Sequence, residues 1–134
     1  MTLFADTSAL YALLDAGDAN HPGAGRAWME LLERDERVVT TSYVLIETYA
    51  LLQRRLGVEA LRTFTAAFVP LLDIIWVDAT LHEAGLSAVL AARRRDLSLV
   101  DCVSFEAMRQ RHLNAALAFD PHFRTHGFRL LPGG

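Results

Sequence analysis

Residues 3–14 read LFADTSALYALL, and this stretch indicates how the fold begins. A short apolar run ends at Asp6, and an apolar-periodic segment follows from Ala9 to Leu14, which is the pattern of a strand leading into a helix. Short apolar runs alternate with longer amphipathic segments through the rest of the chain. The sequence therefore predicts a parallel sheet whose two faces are covered by helices.

The later segments give approximate bounds for the remaining elements. Helices are expected over residues 21–35, 42–56, 58–72 and 80–95, with another opening at Ser98 and a short helical turn over 121–125. Strands are expected over 38–41, 73–77, 115–119 and 128–131. The aromatic residues of the apolar segments, among them Trp28, Trp76 and Phe105, are expected in the core.

Length and composition limit the classes of protein to consider. With 134 residues and 52% hydrophobic content, the chain can bury one substantial core, so residues 1–134 are treated as a single domain. The sequence predicts neither a membrane span nor a signal peptide, and the cytoplasm is the expected location. The single cysteine, Cys102, is expected to be a small buried side chain. A net charge of −3 neither requires nor excludes a nucleic-acid partner.

Four acidic residues fall where a parallel sheet usually presents its ligand site. Asp6 ends the first strand, and Glu47 lies in the first turns after the second. Asp101 opens the helix before the fourth strand, and Asp120 ends that strand. Because ligands of open α/β sheets bind outside the carboxyl ends of the strands, these acids are candidates for one shared site.

Each of these acids also has a simpler structural interpretation. Asp6 and Asp120 suit helix N-caps, and Ser98 with Asp101 fits the capping-box pattern. Taken singly, capping is the more common role. Glu47 differs, because its helix neighbours are mostly apolar and an isolated carboxylate among them would need a partner.

Grouped carboxylates repel one another, and a divalent cation that binds several of them removes that repulsion. Oxygen ligands alone suit Mg²⁺ or Mn²⁺, whereas zinc more often recruits cysteine or histidine. The one suitable histidine spacing, His122 with His126, lacks a nearby third donor in the sequence, so zinc is disfavoured. An acid-bound metal suits phosphodiester hydrolysis, because it lowers the pKa of an attacking water and stabilises the leaving oxyanion.

Four segments resemble the prokaryotic PIN-domain family, whose best-known members are VapC-type toxins of toxin–antitoxin pairs. These segments are Phe4-Ala5-Asp6-Thr7-Ser8-Ala9-Leu10, Thr41-Ser42-Tyr43-Val44-Leu45-Ile46-Glu47-Thr48, Leu97-Ser98-Leu99-Val100-Asp101-Cys102 and Phe119-Asp120-Pro121-His122-Phe123. The resemblance implies a three-layer α/β/α sandwich with a central, mostly parallel sheet of four to five strands, and an Mg²⁺- or Mn²⁺-dependent endoribonuclease. It assigns Asp6, Glu47 and Asp101 as core metal ligands and Asp120 as a more variable fourth acid.

Several neighbouring residues are candidates for accessory roles. Thr7 and Ser8 could bond a ligand or water, although capping the first helix is the more common job. Asp96 could extend the acidic site, but an ordinary loop acid is the favoured interpretation. The run Arg93-Arg94-Arg95 is interpreted as a solvated cluster that closes a helix, with RNA phosphate binding as the alternative.

The resemblance also implies partners: an RNA substrate such as tRNA or rRNA, a cognate antitoxin, and a second copy of the chain in a homodimer. An antitoxin arginine that enters the acidic cleft would compete with metal.

Two other functions are also consistent with acids at strand ends. A phosphoryl-aspartate protein would also place acids and Mg²⁺ at strand ends, but such proteins use a lysine and all thirteen basic residues here are arginine. The second alternative is a catalytically silent PIN-like domain that binds RNA or protein.

Overall fold

The computed structural model describes residues 1–133, which form a five-stranded sheet. Its strands are β1 (Thr2–Ala5), β2 (Arg37–Thr41), β3 (Leu72–Ile75), β4 (Ala115–Leu117) and β5 (Arg129–Leu131). The spatial order is β3-β2-β1-β4-β5, and every neighbouring pair is parallel. The predicted α/β class with a central parallel sheet is confirmed.

Helices connect the strands. They are α1 (Thr7–Leu14), α2 (His21–Glu33), α3 (Ser42–Leu56), α4 (Val58–Thr63), α5 (Ala79–Ala92), α6 (Leu99–Gln110) and α7 (His122–Thr125). Helix α1 packs on α2 and α3, and α5 packs on α6. In residues 1–133, every helix is too short or too polar to serve as a bilayer-spanning segment.

The helix expected over residues 58–72 is interrupted, which corrects the sequence-based bounds. Helix α4 ends at Thr63 and continues as a π-helical turn, Phe64–Phe68, and a 3₁₀ turn, Val69–Leu71. Pro70 explains the interruption, because proline has no N–H to donate and its ring clashes with the preceding turn. Strand β3 then ends at Ile75, so Trp76 lies beyond the edge strand and is 74% exposed; its expected place in the core is wrong.

The core holds the carboxyl edge of the sheet against α6 and α7. Phe105 of α6 meets Phe123 of α7 edge to face with 4.9 Å between ring centroids, and Phe4 of β1 lies 6.2 Å from Phe123. All three side chains are almost fully buried, and Cys102 is buried and free, as expected. The strand ends and helix starts that carry the candidate acids therefore rest on one packed aromatic cluster.

Candidate metal centre at the carboxyl edge of the sheet

Asp6 lies at the junction of β1 and α1 and is only 4% exposed. It is the N-cap of α1: its Oδ2 accepts hydrogen bonds from the Ser8 amide at 3.2 Å and the Ser8 hydroxyl at 2.8 Å. The Ser8 oxygen in turn accepts the Phe119 amide at 2.9 Å, just beyond β4. Asp6 therefore caps α1, so the capping role expected for Thr7 or Ser8 is wrong, and Ser8 instead connects Asp6 to the neighbouring strand.

Asp101 and Asp120 are held in similar ways by backbone amides. Asp101 forms the predicted capping box of α6, in which its Oδ2 accepts the Ser98 amide at 3.1 Å and its own amide donates to Ser98 Oγ at 3.0 Å. Asp120 follows β4, and its Oδ1 accepts the His122 amide at 2.9 Å. In each acid one oxygen is fixed by the chain itself.

Glu47 lies on a more open surface than the sequence suggested. Helix α3 is capped by Thr41, whose hydroxyl accepts the Val44 amide at 3.1 Å, and this phase turns Glu47 outward. Glu47 and its neighbour Ile46, which is 63% exposed, both face outward, while the expected desolvation of the Glu47 carboxylate is confirmed. The Thr7 hydroxyl donates to the Val44 carbonyl at 3.4 Å and joins α1 to α3 beside Glu47.

The pKa values of these acids indicate that they share one electrostatic environment. Burial raises the pKa of Asp6 to about 7; the Ser8 hydrogen bonds oppose this rise, and the charges of Asp101 and Asp120 add to it. Partial desolvation raises the pKa of Glu47, the Thr7 hydroxyl opposes it, and Asp101 and Asp120 again add to it. The charges of Asp101 and Asp120 therefore act on both Asp6 and Glu47, and within residues 1–133 Asp101 and Asp120 are the two of these acids whose ligand atoms lie in one group within 4.8 Å.

The pKa of Asp101 is shifted by the same kinds of interaction. Desolvation raises its pKa, the Ser98 amide lowers it, and the charge of Asp120 raises it further. Like charges that raise one another's pKa disfavour full ionisation, and a divalent cation relieves this by taking the place of the proton.

His122 belongs to this cluster, although the sequence did not indicate it. Ligand atoms of Asp101, Asp120 and His122 all lie within 4.8 Å of one another. The statement that His122 lacks a nearby third donor is therefore wrong, because the fold supplies donors that sequence spacing does not show. His126 points elsewhere: it stacks on Phe105 at 4.3 Å, and its Nδ1 lies 2.8 Å from the His122 carbonyl. The position of His122, two residues after a strand-end acid, was the one available signal.

Asp96 lies in the loop before α6 and reaches this cluster through His122. Its Oδ2 lies 3.2 Å from His122 Nε2, and Arg94 donates to both of its oxygens at 3.0 and 2.7 Å. The Arg94 guanidinium and then His122 lower the pKa of Asp96 to about 2. Asp96 is thus an ion-paired loop acid that also contacts the site.

The arginine run closes α5 through its first member, Arg93, which is the C-cap, and Arg94 and Arg95 lie beyond the helix. Helix α5 ends at Ala92, and Arg93 adopts a left-handed conformation with φ 55°, so the rest of the run lies in the following loop. Arg93 ends the helix through this left-handed conformation rather than as a cation of the last helical turn. Arg94 is neutralised by Asp96, and RNA binding by Arg93 or Arg95 stays a prediction.

Residues 3–129 match the PIN domain family, and the chain belongs to that family. The 23S rRNA-specific endonuclease VapC20 of Mycobacterium tuberculosis is 37% identical over 129 residues, which cover 94% of this chain and 95% of VapC20. The crystal structure of VapC20, described as a Sarcin-Ricin loop cleaving toxin, superposes with a TM-score of 0.84 at 35% identity, covering 94% of this chain and 95% of VapC20. VapBC2 from Rickettsia felis, bound to a promoter DNA fragment, has a TM-score of 0.71 at 16% identity with 97% of each chain covered; this likeness concerns the fold alone. The predicted family and type, a VapC-like nuclease toxin, are confirmed.

Proposed function

We propose that this chain is a metal-dependent endoribonuclease that acts as the toxin of a VapBC-type toxin–antitoxin pair. The observation that carries the proposal is the convergence of four carboxylates, from four separate elements, at the carboxyl edge of the sheet. Burial and then mutual repulsion raise the pKa of the innermost one, Asp6, to about 7, and a divalent cation would offset both effects. Similarity to an endonuclease over nearly the whole chain supports the nuclease assignment.

The donor set fits Mg²⁺ or Mn²⁺, with Asp6, Glu47, Asp101 and Asp120 as the residues that would hold it. Such an ion, when bound, lowers the pKa of an attacking water and stabilises the leaving oxyanion.

The chain itself contributes carboxylates whose orientation is set by hydrogen bonds within the protein. One oxygen of Asp6 is held by Ser8, one of Asp101 by the Ser98 amide, and one of Asp120 by the His122 amide. These contacts fix the carboxylates before substrate arrives, so little reorganisation is needed during the reaction. Glu47 is the most exposed of the four acids. No covalent nucleophile is required.

The proposed substrate is RNA, and ribosomal RNA is the first candidate. The relative that shares 37% identity is named as 23S rRNA-specific, and its structure is described as that of a Sarcin-Ricin loop cleaving toxin. A tRNA is the second candidate. Arg93 and Arg95, in the loop next to the site, are the residues proposed to contact RNA phosphates.

The proposed partners are a cognate antitoxin and a second copy of the chain in the cytoplasm. An antitoxin arginine would form charge-assisted hydrogen bonds with the acidic cluster and so inhibit by competition with metal. Light scattering of the purified chain tests the homodimer. Inhibition by the product of the neighbouring gene, reversed by excess Mn²⁺, tests the antitoxin.

The central experiment is cleavage of ribosomal and transfer RNA by the purified full chain in Mg²⁺, Mn²⁺ or EDTA. Asp6→Asn and Asp101→Asn remove single charges from the cluster and are expected to abolish cleavage. Asp73→Asn, at an exposed acid of β3 paired with Arg37 at 2.7 Å, is the matched control and is expected to cleave normally. Cleavage in EDTA, or full activity in both cluster variants, would overturn the proposal.

The ends of the products distinguish the reaction class. Hydrolysis by an activated water is expected to leave 5′-phosphate and 3′-hydroxyl ends. A 2′,3′-cyclic phosphate would instead show attack by the RNA's own 2′-hydroxyl. A folded wild-type chain that binds RNA without cleaving it, and an Asp6→Asn variant that binds equally well, would favour the catalytically silent alternative.

A further inference from the structure

The imidazole of His122 lies between the acidic cluster and the Asp96–Arg94 ion pair. We infer that His122 is a nitrogen ligand of the metal centre and binds the same ion as Asp101 and Asp120. In this arrangement, Asp96 positions the imidazole ring of His122. This inference rests on the proposed metal-dependent function and deepens it, because it changes the site from all oxygen to mixed nitrogen and oxygen.

The first observation concerns Nδ1 of His122. This atom is buried and has no hydrogen-bond partner in the described part of the chain. It lies 2.9 Å from Asp120 Oδ1, but the two atoms are not aligned as donor and acceptor. Two ligand atoms that bind one ion side by side, each at about 2.1 Å in octahedral geometry, lie about 3 Å apart. The spacing is therefore that of neighbouring ligands of one ion.

The second observation concerns the other ring nitrogen. Nε2 of His122 lies 3.2 Å from Asp96 Oδ2, and Arg94 holds Asp96 through two hydrogen bonds. Histidines that bind metal commonly donate their second ring N–H to a carboxylate, which fixes both the tautomer and the ring orientation. With the proton on Nε2, the lone pair of Nδ1 is left for the ion. Asp96 is thus a positioning residue rather than a ligand.

A mixed donor set has a consequence for metal preference. Mg²⁺ favours oxygen ligands, whereas imidazole suits transition metals and its affinity for them rises along the series from Mn²⁺. The position shared by Asp101, Asp120 and His122 is therefore expected to bind Mn²⁺ more tightly than Mg²⁺. Removing the imidazole should lower Mn²⁺ affinity far more than Mg²⁺ affinity.

The test is Mn²⁺ binding to the full chain. Calorimetry measures the affinity, and pulsed electron paramagnetic resonance detects nitrogen ligands of the bound Mn²⁺. The wild type is expected to show nitrogen coupling to bound Mn²⁺, and His122→Ala to lose it together with about 10-fold or more in Mn²⁺ affinity. Asp96→Asn should keep the coupling but lose roughly 10-fold in affinity. His112→Asn is the control: His112 is exposed with φ 56°, a conformation that asparagine tolerates, and binding should not change.

Two other outcomes overturn the inference. Mn²⁺ bound to the wild type without nitrogen coupling would show that the imidazole is not a ligand. Tighter Mn²⁺ binding by His122→Ala would show that His122 acts as a competing cation. Should His122→Ala fail to fold, the wild-type nitrogen signal and the affinity of Asp96→Asn still decide. A nitrogen signal in a chain that never cleaves RNA would refute the nuclease proposal and leave the ligand assignment standing. RNA cleavage without a nitrogen signal would refute the ligand assignment and leave the nuclease proposal standing.

Discussion

The two ends of the central sheet handle charge in opposite ways. At the amino edge, opposite charges are paired: the N-terminal ammonium of Met1 contacts Glu36, and Arg37 lies 2.7 Å from Asp73. At the carboxyl edge, burial is the first cause and the charge of neighbouring acids the second cause that raises the pKa values of Asp6, Glu47 and Asp101. A fold under selection for stability alone would not collect like charges at half-buried positions. The difference therefore marks the carboxyl edge as the functional one.

The largest expected effect separates a cluster acid from a surface acid of the same type. Glu47→Gln is expected to slow RNA cleavage by at least about 100-fold, because it removes a charge proposed to hold the ion. Its fold should be retained, since Glu47 is exposed. Glu59→Gln changes an exposed glutamate of α4 that pairs with Arg62 at 3.4 Å, and its rate should match the wild type. Equal rates for both variants would remove Glu47 from the site.

The next effect concerns the stability of the metal-free chain. The folded chain holds the Asp6 proton up to about pH 7, whereas the unfolded chain releases it near 3.8. The proton therefore stabilises the fold fully below about pH 4, and this contribution is lost as the pH rises through 7. Chemical denaturation in EDTA should show Asp6→Asn more stable than wild type at pH 8, by a few kcal/mol, with the difference shrinking towards pH 4. A difference that does not vary with pH would contradict the burial argument.

Added Mn²⁺ should restore the stability that the metal-free chain loses as the pH rises. Mn²⁺ and the Asp6 proton compete for one carboxylate, so the stabilisation by Mn²⁺ should be larger at pH 8 than at pH 5. At 100 times the dissociation constant it is expected to reach about 2.7 kcal/mol. Melting curves with and without Mn²⁺ measure it, and Asp6→Asn should respond much less. Stabilisation that is equal at both pH values would point to a metal site elsewhere.

The smallest effect belongs to the amino edge. The Arg37–Asp73 pair is exposed, and exposed pairs contribute between about 0 and 1 kcal/mol. Asp73→Asn is thus expected to lower the free energy of unfolding only slightly and to leave Mn²⁺ binding unchanged. Denaturation and calorimetry of this variant provide the check. A loss of metal affinity would break the contrast between the two edges.

The parts of the site that sequence predicts are those with local signals. Asp6 caps α1 and Asp101 completes the capping box of α6, and both arrangements follow from residues within three positions. The alternation of strands and helices then places both at one sheet edge. Sequence patterns are informative here because the deciding contacts are short-range.

The parts that sequence misses depend on contacts between distant segments. His122 meets Asp96 across 26 residues, and no local pattern encodes the angle that brings α7 beside the start of α6. The exposure of Glu47 depends on which face of α3 packs inward, and each step of one residue turns by about 100° around a helix. Pro70 carried a local signal for the end of α4, but the apolar periodicity around it favoured a longer helix.

The most direct test of the account measures Mn²⁺ binding and RNA cleavage on the same samples of three proteins: wild type, Asp6→Asn combined with Asp101→Asn, and Asp73→Asn. The account predicts that binding and cleavage are lost together in the double variant and that both are unchanged in Asp73→Asn. A double variant that binds Mn²⁺ with wild-type affinity, or cleaves RNA at the wild-type rate, would contradict the claim that the carboxyl-edge acids form the metal centre of a nuclease.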